Sequence, residues 1–249
     1  MQRLEGLMRK AIQEYGMIAP GDRVCVGVSG GKDSVALTVG LARLREYLGI
    51  PFEVVAVSLD PQFGNVPTDY SPLEQLFAEY NVEYHIRRSE IGHVVFDLRQ
   101  EKNPCALCAK MRRGLLHNTA KELGCNRVAL GHHLDDAVET FYMNLWGEGR
   151  LGCFSPVTWL SRKELYLIRP MVLATEAEVR RAVRELDLPV VKSACPADGA
   201  TRRQEMKDYV AAMAKKDPAF RQKMLGALQD AGLDGWAPLP GTEGRRARR

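Results

Sequence analysis

The sequence has no apolar run long enough to span a bilayer, no leader-like start and little net charge in its body. Each absence removes a class of function. Without a run of about twenty apolar residues, no membrane crossing is expected. The polar opening Met1-Gln2-Arg3-Leu4-Glu5 does not read as a signal peptide, so a cytoplasmic protein with no membrane attachment is the expectation. The net charge of +4 comes mostly from Arg245, Arg246, Arg248 and Arg249, set against Glu243. Overall charge therefore does not announce a nucleic-acid protein, and local clusters must carry that question. No internal repeat is visible. The six cysteines include a single closely spaced pair, whereas a structural zinc site usually wants two. In a cytosolic chain this usage points to metal or catalysis more than to disulfides.

What is present begins at Val24-Cys25-Val26-Gly27-Val28, an apolar run that breaks at Ser29-Gly30-Gly31 and resumes as Lys32-Asp33-Ser34-Val35. Leu37, Leu41, Leu44 and Leu48 then recur at helical spacing. Strand, tight turn and helix follow, with unpaired N–H groups at the helix start that favour an anion. The Walker pattern fails, because Gly27 to Gly31 is one residue short and Asp33 follows Lys32; the dinucleotide fingerprint fails at Ser29. Ser-Gly-Gly alone is compatible with a merely capped turn. The complete Ser-Gly-Gly-Lys-Asp-Ser resembles the pyrophosphate loop (PP-loop) of the N-type ATP pyrophosphatases. That resemblance implies cleavage of ATP between its α and β phosphates to adenylate a substrate.

A chain of 249 residues can form one large α/β domain with a small appendage. Residues 1–20 read as an amphipathic helix, with Leu4, Leu7, Met8 and Ile12 on one face, which could serve a homodimer. Strands are expected at Phe52 to Leu59, ended by Asp60, at Val82 to Arg87, at Arg127 to Gly131 and at Leu165 to Ile168, with a short one at Leu188 to Val191. Capping boxes are expected at Ser71-Pro72-Leu73-Glu74 and Thr175-Glu176-Ala177-Glu178. Helical patterns between the strands imply a doubly wound parallel α/β sheet over 21–195, and the resemblance of its loop implies that this sheet is of the adenine nucleotide alpha hydrolase-like, PP-loop type. Two helices over 196–233 extend it, and a disordered basic tail is expected over 234–249. In such a sheet ligands bind beyond the carboxyl ends of the strands, where Ser29, Asp60, Gly131 and His132 all fall.

Cys105-x-x-Cys108 opens a helix, whose dipole favours thiolate. A redox pair, zinc, two unrelated buried thiols, and a metal cluster completed by one distant cysteine all remain open. Cys25 and Cys125 read as buried small hydrophobes; Cys153, in a glycine-rich connection, is left unassigned, at a position where a fourth ligand or a persulfide carrier could sit. In Gly131-His132-His133-Leu134-Asp135-Asp136 the carboxylates could cap a helix, with Asp136 and Glu139 at capping-box spacing. They could instead hold Mg²⁺ against ATP, and Asp135 is the candidate for a catalytic or metal-positioning role. His132 is the likelier of the pair to face nucleotide. Lys32 and Arg112 are candidates to stabilise charge developing during adenylation. Lys110, Arg112, Arg113 and His117, with Arg180, Arg181, Arg184, Arg202 and Arg203, could form an RNA-facing surface.

These segments, with Ile168-Arg169-Pro170 and the late Cys195 followed by Arg203-Gln204, resemble in order and spacing the tRNA 2-thiocytidine synthetase family. The resemblance implies a [4Fe-4S] cluster on Cys105, Cys108 and Cys195, leaving one iron without a protein ligand. It implies ATP bound through Ser29, Gly30, Gly31, Asp33 and Ser34, tRNA as substrate with cytidine at position 32 as target, and a sulfur donor such as a cysteine desulfurase or free sulfide. Leu134, where many relatives carry Arg, and the short segment Arg99 to Asn103 depart from the family pattern and leave the substrate open. A lysidine-synthetase-like enzyme, cluster chemistry on another RNA base or small molecule, and a non-catalytic nucleotide- or zinc-binding regulator are the alternatives.

Overall fold

The computed structural model of the chain describes residues 1–99, 104–192, 195 and 202–242. Six strands, β1 (Arg23–Val28), β2 (Glu53–Asp60), β3 (Glu83–Arg88), β4 (Arg127–Ala129), β5 (Val157–Leu160) and β6 (Leu165–Ile168), form one sheet in the order β3-β2-β1-β4-β6-β5. Pairing is parallel except for β5, which runs antiparallel to β6 at the edge. β2 is buried at every position after Glu53, which is why it reads as one unbroken apolar run.

Alternation along the strands divides the core. Val24, Val26 and Ala56 face a cluster with Leu4 and Met8 of α1 (Gln2–Glu14), Val35 and Leu37 of α2 (Lys32–Tyr47), and Val179. Cys25, Val55, Val57 and Val128 face Leu116 and Ala120 on the other side. α3 (Ser71–Glu79) leads into β3, and a single turn α4 (Ile91–His93) runs on into a π-helical Val94–Leu98 that the sequence did not announce. α5 (Pro104–Glu122) carries the cysteine pair, and α6 (Leu134–Glu148) follows β4 and ends at Gly149 with φ 61°. α7 (Glu176–Glu185), α8 (Arg202–Lys216) and α9 (Phe220–Asp230) follow in chain order.

Several expectations change. The box at Ser71–Glu74 does not form: buried Tyr70 takes the cap position, and its carbonyl accepts the N–H of both Leu73 and Glu74. The box at Thr175–Glu178 does form, each side chain accepting the other's N–H. Leu188 to Val191 builds no ladder, because Asp187 turns with φ 48° and Pro189 has no N–H; only Val191 reaches across, to the Gly30 carbonyl at 3.0 Å. The tail is not free of structure from residue 234. Trp236 is fully buried, its indole N–H donating to the Phe154 carbonyl at 2.8 Å, and Leu239 N–H donates to the Glu14 carbonyl at 2.8 Å. Residues 243–249, like 100–103, 193–194 and 196–201, lie outside the described residues.

Candidate active site

The phosphate turn is built by serine hydroxyls. β1 ends at Val28, Gly30 takes φ 85°, and Gly31 caps α2 with no side chain over the helix end. The Ser34 hydroxyl accepts Ser29 N–H at 3.1 Å and donates to the Gly31 carbonyl at 2.9 Å, so it ties the turn shut from behind. The N–H groups of the first turn of α2 are left for a ligand. A Cβ on Gly30 would stand 2.9 Å from Val191, and one on Gly131 would stand 3.1 Å from the Asp33 carbonyl carbon. Glycine at 131 lets the end of β4 close on α2.

The expected residues do meet at this edge, in different roles. Asp60 is wholly buried and accepts from Gln62 N–H, Thr68 N–H and the Thr68 hydroxyl, each at 3.1 Å. It organises the loop after β2. His132 lines a cavity of about 350 Å³ between Gly27 and Ser29 of the β1 end, Leu130, and Arg112, Arg113 and His117 of α5. A smaller recess shares Ser29, Leu59 and Arg112 with it and adds Tyr70 and Lys192. Arg112 thus borders both spaces, one helical turn beyond Cys108. His117 is buried in this wall rather than standing on an open surface; burial lowers its pKa, and Arg113 and Lys163 push the same way.

The capping residue of α6 is His133, not Asp136. His133 Nδ1 accepts Asp136 N–H at 3.3 Å and the Asp136 carboxylate accepts His133 N–H at 2.9 Å, because the helix already starts at Leu134. Asp135 is buried with both oxygens taken: Oδ2 accepts Glu176 N–H at 2.8 Å and Oδ1 accepts Arg221 Nε at 2.5 Å. Glu176 in turn gathers Lys32 at 3.1 Å, Lys207 at 3.1 Å and Arg180 at 2.8 Å. Burial would raise the Glu176 pKa, but hydrogen bonds from Arg180, Lys207 and Lys32 outweigh it and hold it down to about 2. Lys32 also meets Asp33 Oδ2 at 2.9 Å, while Asp33 Oδ1 is a buried acceptor with no hydrogen-bond donor among the described residues. Neither Glu176 nor Arg221 had a sequence signal of its own beyond Glu176 following a helix cap.

Cys105 is exposed and Cys108 buried. Burial raises the Cys108 pKa; Arg112 opposes this, and Cys195 and Cys105 reinforce it. Among the described residues no three His, Cys, Asp or Glu side chains are arranged as a metal site. Cys105, Cys108 and Cys195 would make an all-sulfur donor set, and Arg112 favours the Cys108 thiolate, a chemistry that suits iron–sulfur ligation better than a carboxylate metal. Cys153 is different: its thiol donates to the Ala137 carbonyl at 3.3 Å, and burial pushes its pKa up to about 12. At neutral pH it is protonated, which does not suit a persulfide carrier. Of the expected RNA-facing cations, Arg180 pairs with Glu176 and Arg181 with Glu185. The side chains of Arg202 and Arg203 lie outside the described residues.

A PP-loop domain model matches residues 3–212, which include the phosphate turn, the Cys105/Cys108 pair, His132 and Cys195. The chain belongs to the PP-loop family. Within it, the chain is 38% identical over 230 residues to a tRNA-cytidine(32) 2-sulfurtransferase of Syntrophotalea carbinolica, covering 91% of this chain and 88% of the relative. A protein of the same description from Dechloromonas aromatica is 34% identical, over 91% of this chain and 79% of its own. These matches place the chain in the tRNA 2-thiocytidine synthetase family of PP-loop proteins, as an ATP-dependent sulfurtransferase. Among solved structures, the U34-tRNA thiolase NcsA from Methanococcus maripaludis with its [4Fe-4S] cluster shares the fold, with a TM-score of 0.74 at 24% identity over 92% of this chain and 78% of that one. No helix among the described residues is long and apolar enough to cross a membrane.

Proposed function

We propose that this PP-loop sulfurtransferase replaces the C2 oxygen of a tRNA cytidine with sulfur, cytidine 32 being the target named for its relatives. The observation that carries the reading is a cavity bordered by Ser29 of the phosphate turn on one side and, on the other, by Ala109, Arg112 and Arg113 of α5, the helix that also bears Cys105 and Cys108. ATP phosphates would lie on Ser29, Gly30, Gly31, Ser34 and the first turn of α2. Mg²⁺ would meet Asp33, whose Oδ1 has no hydrogen-bond donor among the described residues. The C2 oxygen attacks the α-phosphorus and pyrophosphate leaves. Arg112, at the junction of the two spaces, would stabilise the charge that develops. Hydrosulfide then adds at C2 and AMP departs with the original oxygen, so C=O becomes C=S.

His132 would form the wall beside the base. Lys32 would reach the phosphates from its hold on Glu176, and Asp135, which fixes the N-terminus of α7, would position that hold. Asp60 and Gly131 would shape the site by setting the loop after β2 and the approach of β4. Cys105, Cys108 and Cys195 would hold a [4Fe-4S] cluster, which when bound supplies an open iron at which sulfur can be presented. Residues 21–195 would be the nucleotide domain, with 1–20 and 196–233 as helical additions, working in the cytoplasm with a cysteine desulfurase or free sulfide as sulfur source.

Incubating the anaerobic protein with an unmodified tRNA transcript, ATP, sulfide and free lysine tests this reading. Pyrophosphate release and 2-thiocytidine by mass spectrometry are expected together, both lost in Asp33→Ala. Pyrophosphate release with lysine incorporated, or no tRNA-dependent release at all, would contradict it.

A further inference from the structure

One motif of the chain has no part in the site described above. Arg169 directly follows β6, and its residue is only 7% exposed. Its Nη1 donates to the Ser155 carbonyl and its guanidinium lies 4.9 Å from the centroid of the Phe154 ring. Its Nε is a buried donor with no acceptor among the described residues. No carboxylate answers its charge among the described residues. Burial lowers its pKa to about 10, with Cys153 opposing and Arg113 adding to the fall. A buried guanidinium with a spare donor is costly unless an anion completes it.

The surroundings lead to the cavity. The Phe154 ring under Arg169 lies 5.1 Å from the His132 ring, and both His132 and Arg113 line the cavity wall. In the sheet order, β6 is separated from β1 by β4, so Arg169 sits two strands, about 10 Å, from the phosphate turn at the same carboxyl edge. That is beyond the helix start that receives the nucleotide phosphates. A strand of RNA presenting one base to the cavity would carry its backbone phosphates along this edge.

Resting on the proposed function, we infer that Arg169 and Arg113 form a seat for a backbone phosphate of the substrate RNA, at the end of the cleft opposite the phosphate turn. Arg169, held in place by its bond to the Ser155 carbonyl, supplies its spare Nε–H, and Arg113, which is exposed, closes on the phosphate from α5. The seat reads no base; it fixes where the strand runs, so that the target base meets the cavity.

The test measures binding, without turnover, of an unmodified tRNA transcript and separately of ATP, to the full-length protein between 50 and 200 mM salt. Arg169→Gln and Arg113→Gln are each expected to reduce the slope of log K against log salt by about 0.7 to 1, the loss of one phosphate contact, with ATP affinity unchanged. Arg113→Gln alters an exposed side chain, so it reports even if Arg169→Gln lowers the melting temperature. Unaltered slopes in Arg113→Gln and in folded Arg169→Gln, or a loss confined to ATP binding, would overturn the seat and leave the thiolation reading standing. A wild-type protein that does not bind the transcript would overturn both.

Discussion

Two groups of charge flank the phosphate turn, and they are built in opposite ways. Beneath α7, Glu176 and Asp135 meet Lys32, Lys207, Arg180 and Arg221, with a backbone N–H filling the remaining valence of Asp135. Across the cavity, Arg112 and Arg113 of α5 and Arg169 after β6 form no ion pair among the described residues. The first group is complete without a ligand and ties five helices together, α2, α6, α7, α8 and α9. The second is incomplete, and only an anion would finish it. Satisfied buried charge is what a fold keeps for geometry, whereas under the proposed function the unpaired cations would meet the phosphates of the substrate.

Breaking the first group should cost stability. Asp135→Ala leaves Arg221 and the Glu176 N–H without their acceptor and is expected to destabilise by about 3–5 kcal/mol in urea unfolding. Breaking the second should cost function instead. Arg112→Ala is expected to leave unfolding within about 0.5 kcal/mol of wild type while single-turnover adenylation falls on the order of 100- to 1000-fold. A large stability loss in Arg112→Ala would erase the distinction. Between these lies Gly30→Ala, which forces a side chain into φ 85° against Val191; a cost of about 1–3 kcal/mol is expected, together with weaker ATP binding.

The smallest effect sharpens the comparison through pH. Glu176 has its folded pKa pulled from 4.5 to about 2, so its contribution to stability is fully present above 4.5 and is lost as pH falls towards 2. Stability measured down this range should fall less steeply in Glu176→Gln than in wild type. Equal slopes would mean that the cations around Glu176 do not hold it ionised.

Much of this architecture was legible in residue order alone, and what was not has physical causes. β2 announced itself because both its faces are buried, and the Thr175 box because capping is a local exchange between residues three apart. β5 escaped notice because its four residues sit at a sheet edge with Trp159 half exposed, so no apolar run marks it. Trp236 looked like the start of a tail, yet its indole finds a carbonyl 82 residues away. The phosphate turn and the cysteine pair were visible as motifs. The structural engagement of Asp135 was not, since its partner Arg221 lies 86 positions along the chain. Nor was the lid of Val191 over Gly30, where a single backbone bond replaces the strand expected there.

The central claim is that one cleft joins an ATP site to an iron–sulfur centre on Cys105, Cys108 and Cys195. It is tested most directly by anaerobic purification with iron, sulfide and zinc quantified, for wild type and for Cys105→Ala, Cys108→Ala and Cys195→Ala. About four irons and four sulfides per chain are expected in wild type and their loss in each variant. Zinc in place of iron, or a full iron content that survives Cys195→Ala, would contradict the account.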